Sequence, residues 1–218
     1  NGFKNLPNGD NTGFDKNDVM AKFQYDFSGS EYSQIAELKM SYANEKSDET
    51  YLGLTDDDFK QSPNRRYVAS QKDLMDWEHQ QLQFTHFIGN DNFDITTRVY
   101  RNDFKRSWNK INGFKDTGLV SSDLQEILAN PYIDENAPFY EVLTGVRDTE
   151  REYEKIILGD NNREYYSQGI QSELYLYREL FDVKHAFNVG FRFHQDQIRR
   201  RHTTDAYAMT SAQLVSDG

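Results

Sequence analysis

The chain has 218 residues, a net charge of −11, 36% hydrophobic residues and no cysteine. Those values exclude disulfide scaffolds and thiolate metal sites, and the acidic balance argues against nucleic acid, whose binders carry a basic face. No apolar run approaches the roughly 18 residues that a membrane helix needs, while an aromatic fraction of 14% argues against disorder.

Residues 1–16, rich in Gly and Asn and containing Pro7, read as loop. A strand over about 17–27 follows, with Val19, Ala21, Phe23, Tyr25 and Phe27 on one face and Met20, Lys22, Gln24 and Asp26 on the other. Alternation of period two is the mark of a strand with one apolar and one polar side. Ser28-Gly29-Ser30 turns the chain into a second strand, about 32–44. There Ala36, Leu38, Met40 and Tyr42 oppose Glu37, Lys39 and Ser41, with Ile35 an exception on the polar side.

A long connection, about 45–78, contains a helix start in which Thr55 is the cap and Asp58 the third helical residue; Pro63 ends it. The third strand, about 79–89, sets Leu82, Phe84 and Ile88 against Gln81, Gln83 and Thr85, with His86 on the apolar parity. It turns at Gly89-Asn90-Asp91-Asn92 into a fourth strand, about 92–104, where Phe93, Ile95, Thr97 and Val99 alternate with Asp94, Thr96, Arg98 and Tyr100. A second long connection, about 105–163, holds a short helix capped by a Ser122–Gln125 box and ended by Pro131. Its acidic run Asp148, Glu150, Glu152 and Glu154 alternates and is expected to be solvated loop charge.

The fifth and sixth strands, about 164–180 and 184–199, form the longest hairpin, turning at Phe181-Asp182-Val183-Lys184. Ile170, Leu174 and Leu176 on one and Phe187, Val189, Phe191 and Phe193 on the other make the apolar face. The fold class is therefore all-β, an antiparallel meander of about six long strands with short helices in long loops. Strands of soluble domains average about 5–6 residues, whereas a tilted membrane-spanning strand needs roughly 9–11. Short turns fall on one side, long loops on the other, and aromatics flank the turns, as in an outer-membrane barrel with periplasmic turns and extracellular loops. A low mean hydropathy is compatible with that architecture, because lumen-facing positions are polar. The chain opens at Asn1 with no signal peptide, which an exported protein needs, and is expected to be an internal piece of a longer one.

Several separated segments resemble one family. Glu49-Thr-Tyr-Leu-Gly-Leu-Thr-Asp-Asp-Asp-Phe59, Asn64-Arg-Arg-Tyr67, Met75-Asp-Trp77, Tyr100-Arg-Asn-Asp-Phe104, Tyr166-Ser-Gln-Gly169 and Gly190-Phe-Arg-Phe-His194 are similar to TonB-dependent outer-membrane receptors, in particular to the ferric-citrate group. The resemblance implies a 22-stranded transmembrane β-barrel closed by a plug domain, of which this chain holds six strands and two extracellular loops but neither plug nor TonB box. It implies uptake of a ferric chelate of citrate or siderophore type across the outer membrane, powered through the missing plug by the TonB–ExbB–ExbD complex. The chelate is cargo, and no resident cofactor is implied.

An anionic chelate calls for arginine, whose planar fork binds carboxylate bidentately. The candidates are Arg65 and Arg66 in the first loop, Arg98 on a polar strand face, Lys105 and Arg106 at the start of the second loop, and Arg199 with Arg200 and Arg201 at a strand end. The plain alternative for each is a solvated charge or a salt bridge to a wall carboxylate. His194 and Asp196 share a face, but no third metal ligand is indicated, and Asp56–Asp58 lacks the Gly and Glu of a calcium loop. Tyr67, Trp77 and Trp108 are expected to anchor the loops at a membrane interface. No nucleophile elbow, phosphate loop or zincin motif points to an enzyme. A plug-less porin and a soluble β-sheet ligand-binding or carbohydrate-active domain remain as alternatives.

Overall fold

A computed structural model describes residues 12–118 and 122–217. The chain forms one antiparallel sheet in simple meander order: β1 (Phe14–Asp26), β2 (Ser33–Ser47), β3 (Leu74–Asn90), β4 (Phe93–Phe114), β5 (Ile156–Leu180), β6 (Val183–Thr210) and β7 (Gln213–Ser216). The sheet is not closed on itself, since β1 and β7 are its two ends. The three short helices are α1 (Asp56–Gln61), α2 (Leu124–Ala129) and α3 (Ala137–Thr144). None of the described helices is long and apolar enough to cross a membrane.

The alternation read from sequence is in register across the sheet. One row of directly opposed residues runs Phe23, Leu38, Phe84, Val99, Ile170 and Phe193 over six strands. On the other face the adjoining row is Lys22, Lys39, Gln83, Tyr100, Gly169 and His194. A one-residue slip of any strand would put an aromatic or aliphatic side chain into the polar row, so the pattern itself fixes the register. The apolar rows form a band with no protein layer over it: Phe191 is 63% and Phe193 61% exposed.

Several expectations are corrected. The strands number seven, and the later ones outrun their expected ends. β6 has 28 residues rather than stopping at Arg199, and β4 and β5 absorb much of the expected second loop. At about 3.3 Å per residue, β6 is roughly 90 Å long, far beyond the apolar band. Strand also begins at Phe14, inside the stretch read as loop; the rest of that stretch up to residue 11 lies outside the described residues. Of the first long connection, residues 48–73 remain outside the strands, and of the second, 115–155. The third link on that side is a tight turn at Ser211–Ala212, with φ of 50° and 61°, so the side is not uniformly long-looped. The β5–β6 turn is two residues, Phe181 and Asp182, both at positive φ as a type I′ hairpin requires.

The α1 start is as read, with the Thr55 side chain accepting from the Asp58 N–H. The α2 cap is Asp123 rather than Ser122; its carboxylate accepts from the Gln125 and Glu126 N–H groups, a stronger capping pair than a hydroxyl. Helix α3 carries Pro138 in its first turn, where a missing N–H costs nothing. It ends at Gly145 (φ 73°), whose αL geometry lets the Val146 N–H reach back to the Glu141 carbonyl. Val68 packs at van der Waals limit against Gly145, so a Cβ there would meet it at 3.1 Å. The acidic run is not all solvated: Glu154, 1% exposed, accepts from the Glu150 and Arg151 N–H groups and pairs with Arg147.

The conventional core lies at the long-loop end. Val68 and Ala69 of a 3₁₀ turn (Val68–Lys72), Ile127 of α2, and Phe139, Val142 and Leu143 of α3 pack on Ile111, Phe114, Ile156, Leu158, Met209 and Leu214. Ile111, Leu158 and Met209 share the strand parity of Val99, Ile170 and Phe193. The cap therefore sits on the same sheet face as the exposed band. Between them this face is polar.

Candidate functional site

The polar face changes character toward the long-loop end. One row there runs Lys16, Glu45, Trp77, Arg106, Arg163 and Arg200. Three arginines thus stand side by side on neighbouring strands, where directly opposed like charges are destabilising. The carboxylate in the row, Glu45, is held by Lys16 at 3.5 Å on the far strands. Arg163 bonds neutral partners, Asn161 at 2.9 Å and the Tyr165 hydroxyl at 3.3 Å, and Arg106 lies 5.5 Å from the Trp108 ring. None of the three forms an ion pair among the described residues. The Arg106 Nε is buried without a hydrogen-bond partner, as is the Trp108 indole N–H.

Around this row the surface is aromatic and basic. Phe104 lies 5.7 Å from Tyr165, 6.0 Å from Trp77 and 6.2 Å from His79. Above it, Lys110 lies 4.6 Å from the Trp108 ring, which Tyr51 of the first loop meets edge-on at 4.5 Å. On a chain of net charge −11, this is a local concentration of uncompensated positive charge. Planar guanidinium forks between aromatic walls can take a polyanion of several carboxylates.

Of the residues expected from sequence, Arg106 belongs to this row. Arg98 is on the same face nearer the short turns, in the row Thr85, Arg98, Gln171, Arg192, and forms no ion pair among the described residues. The others are placed differently. Arg199 has the opposite parity to Arg200 and faces the side that carries the apolar band; the apparent Arg199–Arg201 cluster is split by the pleat. Arg66, 7% exposed, bonds the Asp48 carbonyl, the Ser70 hydroxyl at 3.1 Å and the Ser70 carbonyl at 2.9 Å, which makes it a brace of the first loop. Arg65 pairs with Asp58. Both line a cavity of about 560 Å³ together with Glu45, Asp48 and Glu49, an acidic lining rather than an anion site. Burial and the neighbouring Glu45 push the Glu49 carboxyl up.

Sequence reasoning missed Arg163, which falls at the end of a stretch expected to be loop. Alternation gave no signal there, because Asp160-Asn161-Asn162-Arg163-Glu164 is polar on both parities. The His194 Nδ1 meets the Tyr100 hydroxyl at 2.7 Å, and among the described residues no group of three or more His, Asp or Glu stands together as a metal site would require. Gly169, between these two strands, makes that reach possible, since a Cβ there would lie 2.8 Å from the Tyr100 hydroxyl. Tyr67 is a buried network residue rather than an anchor. Its hydroxyl donates to Asp58 at 2.6 Å, as does that of Tyr140 from the second loop. Burial opposes the Asp58 charge, but the Tyr140, Tyr67 and Arg65 donors outweigh it and hold the carboxyl below its usual range.

A second buried acid joins the first loop to the sheet. Asp73 accepts from the Thr50 hydroxyl and from the Ile111 N–H at 3.1 Å. Burial pushes its carboxyl up to about 6, although Thr50, Arg66 and the Ile111 N–H all favour its charge. When compared with known proteins, the chain matches no family model and no curated protein.

Proposed function

We propose that the chain is part of the wall and outer loops of an outer-membrane β-barrel of the TonB-dependent receptor type, and that it takes part in uptake of a ferric chelate. The observation that carries the ligand class is the row Arg106, Arg163 and Arg200, three cations without carboxylate partners on the polar face of a sheet whose other face carries an uncovered apolar band nearer the short turns. Like charges held in register cost stability, and such a cost is tolerated where an anion offsets it. On this reading the polar face lines the lumen, the band meets lipid, and the loops of residues 48–73 and 115–155 are extracellular. A plug and TonB–ExbB–ExbD would supply gating and energy from outside this chain. A ferric complex of citrate type, bearing several carboxylates at once, suits three adjacent forks better than a single carboxylate does.

The same row also suits an anion-selective porin without a plug, which is the second reading. Titration of the full-length parent protein in detergent with ferric citrate and with iron-free citrate separates them. Saturable binding of the ferric complex, weakened about tenfold or more by Arg163→Gln through loss of charge-assisted bonds, is the expected result. Anion conductance in planar bilayers without saturable binding would replace the receptor with the porin.

A further inference from the structure

One dipeptide in the sheet carries chemistry that neither the wall nor the cap requires. Of the three Asn-Gly pairs in the chain, Asn112-Gly113 alone lies among the described residues, and it sits where the β4–β5 register shifts. Ile111 faces Leu158 and Gly113 faces Ile157, so Asn112 is the extra residue of a bulge, without a partner on β5. It is exposed, and its side chain forms no hydrogen bond among the described residues. Gly113 has a φ of 155°, and a Cβ there would meet nothing within 4 Å, so the chain beside its nitrogen is open. Across the bulge, the Asn112 carboxamide nitrogen fills the space that a Gly159 Cβ would take. The His202 Nε2 lies 2.8 Å from that same point and the Asn112 Cγ 3.0 Å. Amide and imidazole converge over Gly159.

We infer that Asn112-Gly113 is a self-modification site, at which the chain converts its own carboxamide into a carboxylate beside the arginine row. The Gly113 nitrogen closes on the Asn112 Cγ, and the new C–N bond replaces the Cγ–Nδ2 bond. The proton that Gly113 gives up ends on the departing nitrogen, which leaves as ammonia; the His202 imidazole is placed to relay it. Water then opens the five-membered imide at either carbonyl, giving aspartate or isoaspartate. Ring closure needs the Asn backbone to turn toward its successor. A ladder resists that turn, whereas a bulged residue followed by glycine is free to make it. The product charge falls on the polar face, where Lys110 stands opposite Gly159 and Arg163 opposite Arg200. On that face β4 carries no carboxylate from Arg106 to Asn112, β5 none from Gly159 to Arg163 and β6 none from Arg200 to Thr204; the buried Asp73 acts on Lys110 from the first loop. The reaction thus turns down the positive field with age.

The chemistry stands apart from the anion reading; only its effect on the chelate rests on that reading, and the test separates the two. The folded full-length parent protein is held in detergent at neutral pH, and peptide mapping follows the gain of about 1 Da and the isoaspartyl linkage at position 112. A synthetic peptide of residues 110–114 is aged alongside. Expected is conversion in the folded protein within about tenfold of the peptide rate, slowed about tenfold by His202→Gln and blocked by Asn112→Gln, whose ring would need a sixth member. A folded-state rate more than about tenfold below that of the peptide overturns the site, and an unchanged rate in His202→Gln overturns the part given to the imidazole. Asn112→Asp, made directly, should weaken ferric citrate about threefold, the effect of one charge in a screened lumen. Unchanged affinity overturns the effect on the site. Absence of ferric-citrate binding by the unmodified protein overturns the anion reading, while the mass measurement still decides the modification.

Discussion

The two ends of the same strands obey opposite rules. At the long-loop end, Ile127, Val142 and Leu143 have no exposed surface, and helices close over the strands as in any water-soluble layered domain. At the short-turn end, aromatic residues of the same parity stand more than half exposed on a sheet one layer thick. The cap brings its own core; the wall leaves its apolar side chains to be covered by something else. A two-stranded or naked sheet is marginal in water, so the wall's stability depends on its surroundings and the cap's does not. The polar stretch from Arg101 to Arg199, between band and cap, marks where one regime gives way to the other.

That contrast can be broken in three ways. Leu143→Ala should have the largest effect, a loss of about 2–5 kcal/mol in cap stability from the cavity it leaves. Amide exchange of α3 and of the Val68–Lys72 turn would read it, equally in detergent and in bilayers; a loss confined to bilayers would mean that the cap has no core of its own. Phe191→Lys should cost about 2–4 kcal/mol in a bilayer, read by urea titration of vesicle folding, because a charge then sits among acyl chains. Tolerance of that lysine would remove lipid from the band.

The smallest effect is a pH dependence of the cap. Asp73 is pushed up to about 6 by burial, so between its ordinary value near 3.8 and 6 the folded state binds more protons than the unfolded one. Stability contributed at this site is therefore greatest below that window, falls as pH rises through it by on the order of 3 kcal/mol, and is flat above. Exchange rates of the Ile111 amide at several pH values measure the slope, and Asp73→Asn should flatten it. A slope of opposite sign would show that the Arg66 and Lys110 charges outweigh burial.

Most of the wall was legible because a pleat has a period of two and the chain keeps it. Phe187 to Phe193 and Ile170 to Leu176 could be paired with no knowledge of tertiary structure. The end of β6 was not legible, since Arg199-Arg200-Arg201 hides alternation behind three identical residues. Strand parity decides that Arg200 faces Arg163 while Arg199 faces the other way, and composition is blind to parity. The cap was legible only locally. Thr55 announces α1, but Asp123 displaces Ser122 because a carboxylate satisfies two N–H groups. Nothing near Arg66 in the sequence points to the Asp48 carbonyl and the Ser70 side chain that hold it.

The pair of tyrosines on Asp58 has a mechanical consequence. Tyr67 belongs to the first long connection and Tyr140 to the second, and both hydroxyls grip the same carboxylate while Val68 presses on Gly145. The two connections are riveted, so they swing as one plate rather than as two fingers. A force or a bound antibody on α1 is borne by α3, and a ligand that draws down one connection spends the entropy of a single hinge to move both.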